Sequence, residues 1–466
     1  MTEKPLIAFY GDDFTGSTDA LECLAAAGLR AVLFTDVPSP ALLARFEGLQ
    51  AVGIAGNSRG LTPEEMEVVI PEALDALRRT GAAIMHYKVC STFDSSPTIG
   101  SFGRVMDIAK RVLACGTIPI VVGTPKLARY SMFGTLFARH NVDGTVHRID
   151  RHPTMSVHPT TPMREADMRR HIGAQTRQFI ALLPAPAIAD SETDAKTWLA
   201  HELKAKPDAL MIDIADESAE ARVGMMLDEM AGQETPLFVL GSSGVEYALV
   251  ALWKARGALP TKVSMPSPGA VDKLLVISGS CSPVTGAQIA AARSDGFAEV
   301  ALDPVALIIE GGDGQHAQDA ARKVTDFLEA GRSVVVHSST GADDPRERAV
   351  ADHIARAGAS PEEGRIRTAA RASAASRPSQ TLRRRGRRHV DDRSQDVEHR
   401  RARNDRAPDT GRSPVPGACA RPLSRRPRGC AQGRPDGRPD VFLSGQGRSG
   451  LIDTNRRRPK AETTYG

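Results

Sequence analysis

Residues 5–20 read PLIAFYGDDFTGSTDA, and this stretch decides the fold. PLIAFY (5–10) is a short unbroken apolar run closed by Gly11, the pattern of a strand buried on both faces. From Gly16 to Ala27 the apolar residues recur at helical spacing, and Gly28 supplies a stop. A buried strand that passes through a turn into a helix opens an α/β unit, and the pattern continues. AVLFTD (31–36), AVGIAG (51–56), AAIMHY (82–87), TIPIVV (117–122), ALMIDI (209–214) and PLFVLG (236–241) read as further buried strands. TPEE (62–65) places Thr62 as an N-cap, Pro63 at the first helical position and Glu65 at capping-box distance, so a helix is predicted from there to about Arg79. Strands alternating with helices predict an α/β protein with largely parallel sheets.

A Pro-, Gly- and Ser-rich linker lies at about 255–272, and a second α/β pattern follows it. LLVISGS (274–280) is a strand and turn, TGAQIAAARS (285–294) a helix, and AEVALD (298–303) a strand. A helix over about 315–330 and the strand SVVVHSS (333–339) come next, and the pattern stops near 363. The expected organisation is a first domain over 1–255, a truncated second domain over 271–363 and an aberrant tail over 364–466. The sequence contains no convincing internal repeat.

The chain has 466 residues, 41% hydrophobic, 4% aromatic and 25% charged, the balance of a soluble protein with more than one domain. The net charge of +4 averages a nearly neutral body and an Arg-rich end, so it says little about partners. Six cysteines are scattered without metal-ligand spacing, which argues against a secreted disulfide framework and for a reducing compartment. No basic region followed by a long apolar run marks a signal peptide, and no apolar stretch reaches membrane-spanning length. A cytoplasmic location is expected.

From 364 onward roughly a quarter of the residues are Arg, Lys460 is the only Lys, and no aromatic appears before Phe442. A nucleic-acid arm normally mixes Arg with Lys and carries stacking rings. Arg without Lys is what a GC-rich gene gives when read out of frame. If each Arg of RRRGRRHV (383–390) is a CGN codon, a shift of one base gives codons that can spell V-V-A-G-G-D-T-S. A strand running into a glycine turn with an acidic and a hydroxyl residue suits a nucleotide-binding domain. The tail is therefore read as a frameshift product, disordered or misfolded, in preference to a functional arm.

Polar residues gather where predicted strands end. YGDDFTGSTDA (10–20) puts Asp12 and Asp13 after the first strand and before a helix whose first N–H groups could hold an anion. An Asp at that place is equally an ordinary N-cap. YKVCSTFDSSPTIGSFGR (87–104) collects Lys88, Ser91, Thr92 and Asp94 in one loop, a set suited to a polyhydroxylated acid, although such clusters also build plain turns. Arg129, in GTPKLARYSMFGTLFA (123–138), could clamp a carboxylate; His158 and Thr161, in HPTTPM (158–163), could line the same cleft. GSSGVEYAL (241–249) is a glycine turn into a helix whose sequence does not separate a ligand role from turn geometry. SGSCSPVTGAQ (278–288), with Ser278, Gly279 and Ser280, could bring backbone N–H groups to a phosphate, but it matches neither common nucleotide-loop pattern.

Taken together, GDDFTGSTDA, YKVCSTFDSSP, HPTTPM, GSSG and SGSCSPVT, in this order over about residues 5–340, resemble the four-carbon acid sugar kinase family, most of all its 3-oxo-tetronate 4-kinase branch. The resemblance implies an acid-sugar-binding domain over 1–255 and a nucleotide-binding domain after it. It implies transfer of the γ-phosphoryl group of ATP, with Mg²⁺, to the terminal hydroxyl of a 3-oxo-tetronate or related threonate or erythronate. It makes Asp12 or Asp13 the group that orients or deprotonates the hydroxyl, and Lys88, Asp94 and Arg129 substrate contacts. Ser280 falls at the family's ATP-contacting serine. A GGDTS-like loop and a later glycine loop are missing from the chain, so this polypeptide is expected not to turn over. The alternative reading is a non-catalytic acid-sugar-binding protein. The partner implied is a small sugar acid, with no nucleic acid and no membrane; a homodimer is the one assembly considered, and no dedicated metal-ligand set is seen.

Overall fold

In the computed structural model, residues 4–356 are described apart from 141–142, 159–160, 232–235, 261–262, 265–266 and 342. The strands are β1 (Ile7–Gly11), β2 (Ala31–Phe34), β3 (Ala51–Ala55), β4 (Ile84–Lys88), β5 (Ile118–Val121), β6 (Arg129–Met132), β7 (Thr135–Arg139), β8 (Val146–Arg148), β9 (Ile180–Leu183), β10 (Ala209–Ile212), β11 (Leu237–Gly241), β12 (Leu275–Ser278), β13 (Ala298–Ala301) and β14 (Val334–His337). Eight of them form one parallel sheet in the order β2-β3-β1-β4-β11-β5-β10-β9. Its strands are continuous apolar runs because helices cover both faces. On one face Met66, Ile70 and Leu74 of helix Pro63–Arg79 and Val105 and Met106 of helix Phe102–Leu113 pack on Ala8, Tyr10 and Met85. On the other, Leu24 of helix Phe14–Ala26, Val223 of helix Glu220–Met230 and Leu249 of helix Gly244–Ala255 pack with Phe9 and Val239. Phe9 is fully buried, and its truncation to Ala would cost about 3–5 kcal/mol.

The predicted helix start at Thr62 is present as a reciprocal capping box with Glu65, and the helix ends at Arg79. The register levels the strand ends: Gly11 pairs with Ala55 and Lys88, Lys88 with Gly241, and Gly241 with Val121. Asp12, Val89, Ser242 and Val122 therefore leave the sheet side by side. From β1 the chain passes to β2 and β3 on one side and then to β4 on the other. The carboxyl ends of β1 and β4 thus flank a switch point, where open α/β sheets leave a crevice.

Two features depart from the sequence reading. A three-stranded antiparallel sheet, β6-β7-β8, stands where no hairpin was predicted. Its first turn is Phe133-Gly134, both at positive φ (52° and 76°), the mirror-type turn that suits a two-residue hairpin. Phe at the first turn position hides the usual Asn-Gly or Asp-Gly signal. The small parallel sheet, β12-β14-β13, repeats the order β1-β3-β2 of the large one, although the sequences share no visible repeat. Among the described residues no helix is long and apolar enough to cross a membrane.

Candidate active site

The strand-end residues at the switch point form one hydrogen-bonded array. Asp12 is fully buried; its N–H donates to Lys88 O at 2.9 Å. Its two carboxylate oxygens accept from Arg59 Nε at 3.1 Å and Nη2 at 2.9 Å, a bidentate fork. Burial pushes the Asp12 carboxyl up, and the Arg59 charge opposes that rise and keeps it a carboxylate. Arg59 also reaches Asp13, Nη1 to Oδ2 at 3.0 Å. Asp13 caps helix Phe14–Ala26: Oδ1 accepts from Gly16 N at 2.7 Å. The side chain of Asp13 is 28% exposed and that of Asp12 1%, so the two adjacent carboxylates divide into an accessible group and a buried one.

Arg59 was not singled out from the sequence. It sits in the one-turn helix Ser58–Gly60 after β3, inside GNSRG (56–60). A lone Arg in a small polar turn at a strand end is the same kind of signal that marked Asp12. Gly100 holds it from behind: at φ 60° it passes so close that a Cβ would stand 2.6 Å from Arg59 O. No side chain is tolerated at that crossing.

Lys88 is 1% exposed, with Nζ donating to Val89 O at 3.0 Å and 3.6 Å from Asp19 Oδ2. A Cβ on Gly16 would meet Asp13 Oδ1 at 2.5 Å and Lys88 Nζ at 3.0 Å, so both groups lie against the first turn of that helix. A cation and a helix N-terminus converge there, an arrangement suited to anionic oxygens.

The loop after β4 is equally ordered. Phe93 takes φ 55° and buries its ring edge-on to Phe102. This turns Asp94 inward, where Thr92 Oγ1 donates to Oδ1 at 2.6 Å and Thr161 Oγ1 to Oδ2 at 2.8 Å. Burial alone would raise the Asp94 carboxyl; the Arg59 charge, the Thr92 hydroxyl, the His158 ring and the Thr161 hydroxyl outweigh it and hold the group below the usual carboxylate range. Thr161 is fixed in turn by His158, whose Nδ1 accepts from Thr161 N at 3.1 Å. The HPTTPM and YKVCSTFDSSP segments thus meet. Ser91 in the same loop is half-buried. Behind it Ser95 Oγ lies 2.8 Å from His171 Nε2 and accepts from Gln175 Nε2 at 2.9 Å, while Gln175 Oε1 accepts from Phe102 N at 2.8 Å. Burial lowers His171 to about 4, with Asp94 and Glu165 opposing.

Arg129 is at the start of β6, half-buried, with Nη1 donating only to the carbonyls of Leu127, Ala128 and Arg139. Its buried Nε has no partner, and among the described residues no carboxylate pairs with it. Burial depresses it, and nearby Cys90 partly offsets this. The GSSG turn pins β11 to β5: Ser242 Oγ donates to Val122 O at 2.8 Å, lies 2.6 Å from Thr124 Oγ1 and accepts from Gly244 N at 3.1 Å.

Ser278, Gly279 and Ser280 present a contrast. Ser278 is half-buried, while Gly279 and Ser280 are exposed. Ser280 Oγ accepts from Ser282 N and Thr285 Oγ1, both at 3.1 Å, and the nearest atom to a Cβ on Gly279 would be Ser338 Oγ at 4.0 Å. Backbone approach by a phosphate is open on that side. No group of three or more His, Cys, Asp or Glu among the described residues is placed to hold a metal ion.

Two family models match the chain: a sugar-binding N-terminal domain over residues 7–249 and a nucleotide-binding C-terminal domain over 275–385. The chain belongs to the four-carbon acid sugar kinase family. A 3-oxo-isoapionate kinase from Paraburkholderia graminis is 46% identical over 343 residues, 73% of this chain and 71% of the relative. A 3-oxo-tetronate kinase from Methylobacterium radiotolerans is 32% identical over 304 residues, 64% of this chain and 66% of that one; one from Pseudomonas savastanoi is 27% identical over 341 residues, 73% and 75%. A Salmonella typhimurium protein described as a putative tRNA synthase has the same fold, with a TM-score of 0.58 at 23% identity over 76% of this chain and 78% of its own.

Proposed function

We propose that the chain is built as an ATP-dependent kinase of a 3-oxo sugar acid, phosphorylating the terminal hydroxyl of a four-carbon or closely related acid. The observation that carries this reading is the Arg59-centred array of Asp12 and Asp13 beside Lys88 at the switch point. Asp13 is the accessible carboxylate and takes the proton of the attacking hydroxyl. The hydroxyl oxygen bonds to the γ-phosphorus while the bond to the bridging oxygen of ADP breaks. Asp12 acts through Arg59, whose aim it sets. Lys88 and the first turn of helix Phe14–Ala26 favour anionic oxygens. Asp94 acts through Thr92 and Thr161, which exchange hydrogen bonds with the sugar hydroxyls. Arg129, with no protein counter-ion among the described residues, meets the substrate carboxylate. Mg²⁺ would arrive on the phosphates of ATP, as it usually does, and would neutralise charge there.

The nucleotide half is incomplete. The alignment with the Paraburkholderia kinase covers nearly equal shares of both chains, so the two are of similar length and the unmatched parts are too. This supports a substituted C-terminal stretch, as a frameshift produces. The same one-base shift turns Gln432–Pro439 into codons that can spell K-G-G-Q-M-G-G-P, a second glycine loop. A coupled ADP-release assay over four-carbon and branched 3-oxo acids, run on this chain and on a frame-corrected one, tests the reading. Turnover is expected only from the corrected chain, and Asp13→Asn in it should lower kcat by about 10²–10⁴-fold. Equal rates from both chains would contradict the account of the tail, and no turnover from either would contradict the kinase reading.

A further inference from the structure

The small sheet is an unfinished copy of the start of the large one. In the large sheet β4 lies beside β1, and helix Pro63–Arg79, on the way from β3 to β4, covers Ala8 and Tyr10 of β1. In the small sheet β12 holds the place of β1, β14 that of β3 and β13 that of β2, and nothing among the described residues holds the place of β4. Helix Pro345–Arg356 follows β14 as helix Pro63–Arg79 follows β3.

The surface carries the mark of the missing part. Leu275 and Ile277 pair with Val334 and Val336 in parallel register, so all four side chains share a face. Val334 and Val336 are buried there with Val324, Phe327 and Leu328 of helix Gln315–Glu329. Leu275 and Ile277 remain 41% and 55% exposed. Parallel strands are normally covered on both faces, and an open apolar edge strand invites pairing. A right-handed crossover from β14 to a strand beyond β12 runs in the same direction as the one from β13 to β14. It therefore passes over the same face, across Leu275 and Ile277.

We propose that the free edge of β12 is the seat of a fourth parallel strand, and that its occupant is the stretch after Arg356 in the shifted reading frame. V-V-A at 383–385 supplies the strand, and G-G-D-T-S supplies a loop at its carboxyl end. That loop lies beside Ser278–Ser280, as the Lys88 loop lies beside Asp12 and Asp13 in the large sheet. The crossover covers Leu275 and Ile277 and closes the lobe. This rests on the kinase reading only through the frame; the seat itself follows from the sheet.

Hydrogen–deuterium exchange on this chain and on the frame-corrected chain tests it. The amides of Leu275–Ser278 should exchange at least 10-fold more slowly in the corrected chain. Ile277→Asp should leave the Tm of this chain unchanged and lower that of the corrected chain by about 4 °C or more. Equal exchange of β12 in both chains would overturn the proposal, as would equal tolerance of Ile277→Asp. Protection in this chain that grows with protein concentration would assign the edge to a second copy and overturn it too. An active corrected chain with β12 still open sinks the seat alone; a protected β12 without turnover on any 3-oxo acid supports the seat and sinks the kinase reading.

Discussion

The two parallel sheets begin with the same strand order, yet their carboxyl ends differ. At the end of β1 and β4 almost every polar group is buried and bonded: Asp12 to Arg59, Asp94 to Thr92 and Thr161, Ser95 to Gln175. At the end of β12 Gly279 and Ser280 face solvent, and the strand beside them has apolar side chains in water. A shared topology therefore sets where a ligand can sit, but a site exists only where neighbouring loops close on each other and fix the side chains. The large sheet has its fourth strand and the loop that follows it; the small sheet does not.

The sharpest way to break this comparison is Arg59→Ala. It leaves Asp12 buried without its partner, which should cost about 3–5 kcal/mol and abolish sugar-acid binding. Thermal melting and ligand titration check it. A stable variant that still binds would mean the array is not held together by Arg59.

A smaller effect should appear with pH. His171 is held near 4, below the free imidazole value of about 6.5. The unfolded chain therefore takes up a proton first as pH falls. Stability is complete above about pH 6.5 and declines between there and about pH 4, by at most ~3 kcal/mol before solvent screening. His171→Gln should flatten that limb of the Tm profile, and an unchanged limb would place the acid sensitivity elsewhere. The smallest effect belongs to the other sheet: Ser280→Ala, at an exposed turn, should alter stability by less than about 0.5 kcal/mol. A larger loss would show that the β12 loop is as tightly built as the β4 loop.

Much of this was legible in the sequence, for identifiable reasons. Unbroken apolar runs mark strands covered on both faces, and Thr62, Pro63 and Glu65 spell out a helix start, so the α/β architecture could be read directly. Asp12, Asp13, Lys88 and Asp94 were visible because polar residues at strand ends break the apolar pattern. The division of labour between Asp12 and Asp13 was not visible, because it depends on Arg59, which arrives from β3 some 47 residues away. The hairpin at Phe133-Gly134 was hidden by an uncommon turn residue. His171 and Gln175 support the β4 loop from a distant segment, and no local pattern announces such a contact. The repeat between the two sheets lies in strand order, which leaves no trace in residue identity.

The central claim is that the sugar-acid half of the site is complete in this chain and the nucleotide half is not. Calorimetric titration of the chain as it stands, first with a 3-oxo-tetronate and then with Mg·ATP, tests it most directly. Saturable heat with the acid, removed by Arg59→Ala, together with no saturable heat for ATP, is the result predicted. Saturable ATP binding by this chain, or no binding of any 3-oxo acid, would contradict it.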